Sequence, residues 1–399
     1  MTPDQLATLR TPAGQAALAT AASAGDDPLA AAATLRRHGI AADLAAAALT
    51  QARLRRRAAA KWGPAAAELY FTQTGLEQST RAVVARRRAH RLAAAGVRRL
   101  VDLGCGIGAD SLAAAAAGID VVAVDADPLT AAVAEANAAA LGLADRVTVR
   151  CTTAESPAVT AELATADAVF CDPARRRAGT GRRTFDPAAY SPPWSFVATL
   201  PDLVPRTVLK LAPGIDHALL PAAAEAEWVS VGGDLVEATV WCGPLAVVPR
   251  RATLLAPDGT PRGELTGDGA HDAPVGPVRR YLYDPDPAVL RTHLVAEFAA
   301  TVDGTLADDQ IGYVYTDQPV ETPYARGLEV HQVLPFSLKR LRTALREADI
   351  GQVEIMKRGT ALVPDQVRRE LRLRGTGAAT VVLTRVADAH TALICRPLR

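Results

Sequence analysis

The strongest chemical signal in the sequence is a glycine-rich turn that follows an apolar stretch. Residues 101–108 read Val-Asp-Leu-Gly-Cys-Gly-Ile-Gly. Glycine takes positive φ angles without steric cost and lets a ligand approach the backbone closely. The free N–H groups at the start of the helix that follows favour a negative or polar group of a ligand. The pattern therefore predicts a cofactor site where the first strand of an α/β sheet ends.

The spacing of the glycines distinguishes between cofactors. A dinucleotide site reads Gly-x-Gly-x-x-Gly, with its third glycine packing the helix beside a pyrophosphate. Here the glycines stand at 104, 106 and 108, and Asp102 precedes them. This spacing suits S-adenosylmethionine, which has an amino-acid moiety and no pyrophosphate; a glycine-rich turn of some other α/β protein is the alternative. We expect Asp125, at the end of the second strand, to accept the ribose hydroxyls, and residues 151–155 to pass the adenine. The predicted cofactor-binding residues are Asp102, Gly104, Cys105, Gly106, Gly108, Asp125, Ala126, Thr153, Ala154 and Asp172.

A second polar turn, Asp172-Pro173-Ala174-Arg175-Arg176, follows the fourth predicted strand. Methyl transfer is an in-line displacement that depends on alignment of the reacting groups. Asp172 can accept a proton or orient an acceptor N–H group, and Lys210 is expected at the same edge of the sheet. We therefore predict Asp172, Pro173 and Lys210 as catalytic residues, with a purely turn-capping Asp172 as the alternative.

Cysteine chemistry is disfavoured at this turn. Cys171 directly precedes Asp172, so strand alternation points its thiol to the opposite side, into the core. Covalent base methylation, which needs an attacking cysteine, is therefore not expected.

Basic and aromatic residues follow the turn in the sequence. The turn at Asp172 resembles the Asp-Pro-Pro-Tyr signature of enzymes that methylate exocyclic amines of bases, with Arg175 in place of the aromatic residue that would stack on the base. An arginine plane can stack on a base or bind phosphate. Basic residues interleaved with aromatic residues beside an active site suit a flipped-base pocket. A solvated surface loop is the alternative. The predicted substrate-binding residues are Arg175, Arg176, Tyr190 and Trp194.

Composition limits the class of protein. The chain has 399 residues, 49% of them apolar and 22% charged, with a net charge of +1. These values predict two or three domains with buried cores and exclude binding driven by the global charge. The five cysteines form no CxxC pair and the seven histidines show no metal spacing, so we expect neither a disulfide scaffold nor a metal site. Because we find no signal-peptide pattern and no long uncharged apolar run, we expect a soluble cytoplasmic protein.

The pattern of apolar residues predicts the elements that position these turns. Residues 1–95 read as helix, and their arginines at 53–57 and 81–91 are interpreted as solvated helix faces, with a phosphate-binding surface as the alternative. Residues 96–245 alternate short strands with helices, which is typical of a doubly wound parallel sheet. The last two strands, 227–231 and 237–241, are joined by 232–234 and should pair antiparallel. The other predicted strands are 97–103, 120–125, 146–151, 167–171 and 207–211.

The remainder reads as α+β. We predict a small ferredoxin-like module over 246–328, with a hairpin at 257–259 and a helix over 288–302, and a further domain over 329–399. Cations are dense in two helices of the last domain and at the end of a strand between them, and such a local surface neutralises phosphates; ordinary solvated helix faces are the alternative. These cations are Lys339, Arg340, Arg342, Arg346, Lys357, Arg358, Arg368, Arg369, Arg372 and Arg374.

Together these motifs resemble the bacterial class I S-adenosylmethionine-dependent methyltransferases that carry a THUMP-like carboxy-terminal domain. The resemblance covers most of the chain from about residue 65. It implies an α/β fold with a Rossmann-like class I methyltransferase sheet, an N-terminal helical region and small α+β C-terminal domains. It rests on the motifs at 71–78, 102–110, 172–176, 210–216, 333–337 and 357–359.

THUMP domains are RNA-binding modules of tRNA-modifying enzymes, so the resemblance implies RNA (tRNA or rRNA) as substrate. The leading hypothesis is direct, non-covalent methylation of an RNA base, without metal or membrane. A small-molecule methyltransferase and a non-catalytic RNA-binding protein with a relict cofactor fold are the alternatives.

Overall fold

The computed structural model describes residues 1–25, 27–175 and 190–398, without the side chains of 174 and 175. The predicted substrate residue Arg176 and the side chain of Arg175 therefore lie outside the described part of the chain. The described residues form two compact units, one made of 1–224 and 239–246 and the other of 225–238 and 247–399.

The N-terminal region is helical, as predicted. Thr2 and Thr11 cap the first two helices, and each helix begins with a proline, whose fixed φ suits the first helical turn. A 3₁₀ turn over Gly63–Ala67 separates four helices from two further ones. These are α1 (Pro3–Arg10), α2 (Pro12–Ser23), α3 (Pro28–Arg37), α4 (Ala42–Trp62), α5 (Gln73–Gln78) and α6 (Ala82–Ala94).

The first unit contains a sheet whose strands β1 (Arg99–Leu103), β2 (Asp120–Asp125), β3 (Val147–Cys151) and β4 (Ala168–Cys171) run parallel to one another. Helices α7 (Ala109–Ala116), α8 (Pro128–Ala140) and α9 (Pro157–Leu163) connect them. The short pair β5 (Ala174–Arg175) and β6 (Tyr190–Ser191) is followed by α10 (Trp194–Val197), α11 (Leu200–Leu203) and β7 (Thr207–Leu211). Because β7 is parallel to β4, the strand order β7-β4-β1-β2-β3 brings five carboxyl ends to one edge. The predicted doubly wound sheet is confirmed.

Two further strands continue the series, β8 (Glu225–Val231) and β9 (Asp234–Trp241). They are neighbours in the sheet and are joined only by Gly232 and Gly233. A two-residue connection between neighbours is open only to antiparallel strands, since a parallel pair needs a crossover of a dozen or more residues. β9 begins in the second unit and ends in the first, where it lies beside β7.

The second unit contains most of the remaining strands in a single sheet of order β13-β14-β12-β15-β18-β17-β16. The hairpin predicted at 257–259 is confirmed between β10 and β11. The elements are β10 (Arg250–Leu255), β11 (Pro261–Gly267), β12 (Tyr281–Pro285), α12 (Pro287–Arg291), α13 (Val295–Thr301), β13 (Thr305–Leu306), β14 (Val314–Thr316), β15 (Ala325–Pro335), α14 (Leu338–Glu347), β16 (Ile350–Lys357), α15 (Pro364–Leu371), β17 (Gly377–Val386) and β18 (Ala389–Pro397).

The structure differs from the sequence prediction at 246–328, where no separate ferredoxin-like sheet forms. β10 pairs with β8 and β11 pairs with β10, whereas β12, β13 and β14 share the seven-stranded sheet with the strands after residue 329. The physical reason is the length of β15. Its first half pairs with β12 and its second half with β18, so this one strand joins the two modules that the sequence prediction separates at residue 329.

The helix predicted over 288–302 is also interrupted. His293 takes a left-handed φ of 62° between α12 and α13. A left-handed residue ends a helix because it turns the chain out of the right-handed path. Among the described residues, no helix is both long and apolar enough to cross a membrane.

Candidate active site

The glycine-rich turn after β1 has the backbone that its sequence predicts. Gly104, Gly106 and Gly108 have φ angles of 81°, 57° and 94°, all left-handed. A Cβ on Gly104 would lie 2.8 Å from the carbonyl oxygen of Asp172, so this glycine lets two turns of the chain approach each other. A Cβ on Gly106 would meet nothing within 4 Å, so open space faces the middle of the turn.

Asp125 ends β2 beside this turn. Its Oδ2 accepts from the Gly106 N–H at 3.0 Å and its Oδ1 from the Asp127 N–H at 2.9 Å. Burial raises the pKa of the Asp125 carboxyl above its ordinary value, an effect that the two N–H donors partly offset. Each oxygen retains a second lone pair, which is what two ribose hydroxyls require.

Asp102 is the buried acid of the motif. It is fully buried, its Oδ2 accepts from the Ser111 hydroxyl, and its Oδ1 has no hydrogen-bond partner among the described residues. Burial, reinforced by Asp110, raises the pKa of Asp102 to about 8. A buried polar atom without a partner is rare and calls for a ligand or water that supplies one. The orphaned oxygen and the open glycine turn therefore fit a cofactor that carries an amino group.

The turn after β3 lies next to Asp125, as expected for the adenine side. The Thr152 N–H donates to the Asp125 carbonyl at 3.1 Å, so residues 152–154 follow directly beside Asp125. Thr153 is exposed, Ala154 is buried, and Ala126 is exposed at the end of β2. The cofactor-binding roles of these residues stay predictions.

Asp172 and Lys210 meet where β4 and β7 end. The parallel register pairs Cys171 with Leu209, which places the residues that follow them side by side. Lys210 Nζ donates to Asp172 Oδ2 at 2.5 Å, and the two side chains are 13% and 31% exposed. The Asp172 N–H donates to the Leu103 carbonyl at 3.1 Å, which fixes the turn beside the glycine motif. The site thus presents a carboxylate oriented by an ammonium group, with the buried Pro173 after it.

The cysteine beside this pair lies in the core, as predicted. Cys171 is fully buried, and burial raises the pKa of its thiol well above the ordinary value. A buried neutral thiol is a poor nucleophile. In the part of the chain that the structure describes, no group of three or more His, Cys, Asp or Glu side chains could hold a metal ion.

The structure describes the side chains of two of the four predicted substrate residues, Tyr190 and Trp194. Tyr190 pairs with Arg175 between β6 and β5, and its side chain is covered, with 3% of its surface exposed. Trp194 is half-buried, and its ring centroid lies 6.2 Å from that of Tyr190. A covered Tyr190 ring does not offer the exposed stacking surface that the sequence suggests, whereas Trp194 keeps part of its surface accessible.

A buried ion pair behind the glycine turn was missed by the sequence prediction. Arg88 of α6 is 4% exposed and forms an ion pair with Asp110 in the first turn of α7. Asp110 also accepts from the Thr80 hydroxyl at 2.6 Å, and the Arg88 guanidinium lies 4.6 Å from the Phe170 ring centroid. Interpreting Arg88 as part of a solvated helix face is therefore wrong, because its charge is neutralised inside the protein. Nothing local in the sequence pairs residues 88 and 110.

Lys61 is a second residue that the sequence did not assign to the site. Its Nζ donates to the carbonyl oxygens of Leu76 and Glu77, both at 2.9 Å. Burial, together with the nearby charges of Lys210 and Arg81, lowers the pKa of Lys61 to about 8. The one available signal was scarcity, since the chain contains only four lysines.

Models of known protein families match three segments of the chain. Residues 100–176 match a methyltransferase domain, which spans the glycine turn and the Asp172 turn. Residues 325–397 match a THUMP domain-like family, and residues 2–58 match a domain of unknown function, DUF8688.

Whole-chain comparisons extend this assignment. An uncharacterised S-adenosylmethionine-dependent methyltransferase of Mycobacterium tuberculosis H37Rv is 38% identical over 370 residues, covering 87% of this chain and 95% of the relative. The counterpart from strain CDC 1551 matches with the same identity and coverage. The crystal structure of a protein assigned as a methyltransferase from Porphyromonas gingivalis W83 covers 99% of this chain and 98% of its own, with a TM-score of 0.75 and 21% identity, and so shares the fold.

The glycine turn, the orphaned Asp102 oxygen and these relatives agree on the cofactor, which is S-adenosylmethionine. The chain belongs to the S-adenosylmethionine-dependent methyltransferases.

Proposed function

We propose that this protein methylates RNA, a base of tRNA or rRNA, by direct transfer to an acceptor held at Asp172. The observation that carries the choice of RNA is the exposed cationic surface of the THUMP-like region. Lys339, Arg340 and Arg369 are exposed, and within the described ranges none of the three has an ion-pair or hydrogen-bond partner. Unpaired exposed cations on helices are what a phosphate backbone requires.

The structure narrows this surface. Arg358 is paired with Asp284, and its guanidinium lies over the Tyr313 ring, so it stabilises the domain rather than facing a ligand. Arg342 and Arg346 donate to backbone carbonyls of Glu370 and Arg372 and so tie α14 to α15. Lys357 donates to the Leu362 carbonyl, and Arg368 forms an ion pair with Asp365. The cations left for phosphate are Lys339, Arg340, Arg369, Arg372 and Arg374.

The chemistry proposed for the transfer site follows from the Asp172–Lys210 pair. S-adenosylmethionine, when bound, supplies an electrophilic methyl group. Lys210 fixes the Asp172 carboxylate through Oδ2, and Oδ1 takes no part in that bond. Oδ1 can therefore accept the N–H of an exocyclic amine, orient its lone pair and remove its proton as the new bond forms. We assign Pro173 to the wall beside the acceptor, and Arg175, Arg176 and Trp194 to the substrate.

We also assign the protein to the cytoplasm. All five cysteines are free thiols, four of them buried, which suits a reducing compartment.

Transfer of labelled methyl groups tests the proposal. Purified protein is incubated with labelled S-adenosylmethionine and total tRNA and rRNA, and RNA-bound label is counted. We expect Asp172→Asn to lower incorporation at least about a hundredfold, because the group that orients and deprotonates the acceptor is lost. Asp145→Asn, an exposed acid in the loop before β3, is the matched control and should be neutral.

Two results would overturn the proposal. Label that enters small molecules but not RNA supports a small-molecule methyltransferase. RNA that binds to the protein but is never labelled, by wild type or either variant, supports a non-catalytic RNA-binding protein.

A further inference from the structure

One face of α4 is bonded to the backbone of the segment that follows it. Gln51, which is 1% exposed, holds Phe71 in both directions. Its Nε2 donates to the Phe71 carbonyl at 2.7 Å, and its Oε1 accepts from the Phe71 N–H at 3.0 Å. Arg55 Nε donates to the Leu69 carbonyl at 2.9 Å. The hydrogen-bond donors of Gln51 and Arg55 therefore bind this segment of backbone and not solvent.

The end of α4 continues the same contact toward α5. Lys61 Nζ donates to the carbonyls of Leu76 and Glu77 at the last turn of α5, the negative end of that helix. Trp62 Nε1 donates to the Ser79 hydroxyl at 3.0 Å, and Arg57 Nη1 donates to Gln73 Oε1 at 2.8 Å. Five side chains along one helix thus hold residues 69–79.

The opposite side of the held segment lies on the cofactor turn. A Cβ on Gly75 would lie 2.5 Å from Ile107 Cγ2, so α5 packs directly on the glycine motif. Asn137 of α8 links the held segment to the glycine motif, because its Nδ2 donates to the carbonyls of both Tyr70 and Ile107. Residues 69–79 therefore lie between α4 and the glycine turn and contact both.

We propose that α4 is a positioning element of the cofactor site, in which Gln51 and Lys61 hold residues 69–79 against the glycine turn and so set the affinity for S-adenosylmethionine. This gives a role to the N-terminal region, part of which matches a domain of unknown function. The inference rests on the cofactor and not on RNA as the acceptor, so it can fail or succeed independently of the proposed substrate.

The test compares Lys61→Met with Arg53→Met in the full-length chain. Lys61→Met removes both bonds to α5, and we expect S-adenosylmethionine to bind about fivefold more weakly in calorimetry, since residues that touch no ligand can still modulate affinity by such amounts. In the absence of cofactor, the amide hydrogens of residues 73–79 should exchange faster in Lys61→Met than in wild type. Arg53 is an exposed cation on the same helix, so Arg53→Met should change neither quantity.

Two further measurements distinguish a positioning role of Lys61 from a purely structural one. The melting temperature of Lys61→Met without cofactor should stay within about 4 °C of wild type, and Lys61→Arg, which retains a cationic donor, should recover most of the affinity. Gly75→Ala forces α5 away from Ile107 and should weaken S-adenosylmethionine binding in the same way. It replaces Lys61→Met as the test if that variant does not fold. Wild-type affinity in either folded variant, or equal weakening by Arg53→Met, overturns the proposal.

Discussion

Two arginine-rich stretches of this chain look alike in sequence and differ in what their charges do. In α4, the donors of Arg55 and Lys61 reach backbone carbonyls inside the N-terminal region. In α14 and α15, Lys339, Arg340 and Arg369 are exposed, and no partner is found for them in the described part of the chain. The first set positions the protein's own backbone, whereas the second is free to meet a ligand.

The difference teaches that the number of cations on a helix does not reveal their role. A cation whose donors are satisfied internally stabilises one conformation of the chain, and removing it leaves acceptors or a counter-charge unpaired. An exposed cation without a partner contributes little to folding. Its removal should change binding of phosphates and leave stability alone.

The largest effect should come from the most deeply buried cation. Replacing Arg88 by Met leaves Asp110 as a buried charge without its partner, which should lower the free energy of unfolding by about 3–5 kcal/mol. Denaturant unfolding measures the change. Arg86→Met, two positions earlier on the same helix and exposed, is the control and should stay within about 0.5 kcal/mol. Equal effects of the two substitutions would contradict the distinction between internal and external cations.

A smaller effect is expected at the ribose position. Asp125→Ala should weaken binding of S-adenosylmethionine at least tenfold, on the order of 1.4 kcal/mol, because a charged acceptor of two hydroxyls is lost. Since the pKa of Asp125 is raised, wild-type affinity should also fall as the pH drops through that raised value and the carboxylate is protonated. Calorimetry at several pH values checks both, and an unchanged affinity in the variant would exclude the ribose assignment.

The exposed cations should change binding without changing stability. In Lys339→Gln/Arg340→Gln/Arg369→Gln, RNA affinity should fall, and the slope of log K against log salt should become shallower by up to about 2 if all three contact phosphate. The melting temperature and the cofactor affinity should stay at the wild-type values. Deleting 331–399 is a poorer test, because it would cut β15 and remove three strands of the seven-stranded sheet. An unchanged salt slope would show that this surface is not an RNA contact.

The remaining prediction concerns the pH dependence of folding. The pKa of Asp102 rises to about 8 in the folded protein, above its unfolded value. Folding therefore takes up a proton, and the resulting stabilisation is complete below about pH 4 and is lost as the pH rises toward 8. Asp102→Asn removes this dependence, so its melting temperature relative to wild type should be higher at pH 9 than at pH 5. A constant difference would mean that Asp102 is ionised in the folded state.

Much of the fold follows from local sequence. The strands at 120–125 and 207–211 have the predicted bounds, because β-branched runs bounded by polar turns define them. The adjacency of Asp172 and Lys210 was also accessible, since residues that follow parallel strands gather at one edge. The left-handed conformation of His293 could not be predicted, because only a small fraction of non-glycine residues adopt it.

The contacts that sequence reasoning missed all join distant residues. Arg88 and Asp110, or Lys61 and the carbonyl of Leu76, are brought together only by the packing of helices. Backbone carbonyls carry no sequence signature, so the acceptor of a given lysine or arginine cannot be read from spacing. The division of 246–328 failed for the same reason, because β15 finds its two partners only in the assembled sheet.

The most direct test of RNA methylation at Asp172 measures binding and transfer on the same preparations of wild type and Asp172→Asn. At saturating S-adenosylmethionine, the variant should bind RNA as tightly as wild type does and should transfer labelled methyl groups to RNA at least about a hundredfold more slowly. Transfer to RNA at the wild-type rate by Asp172→Asn, with Asp145→Asn as the reference, would contradict the assignment of this carboxylate to the acceptor.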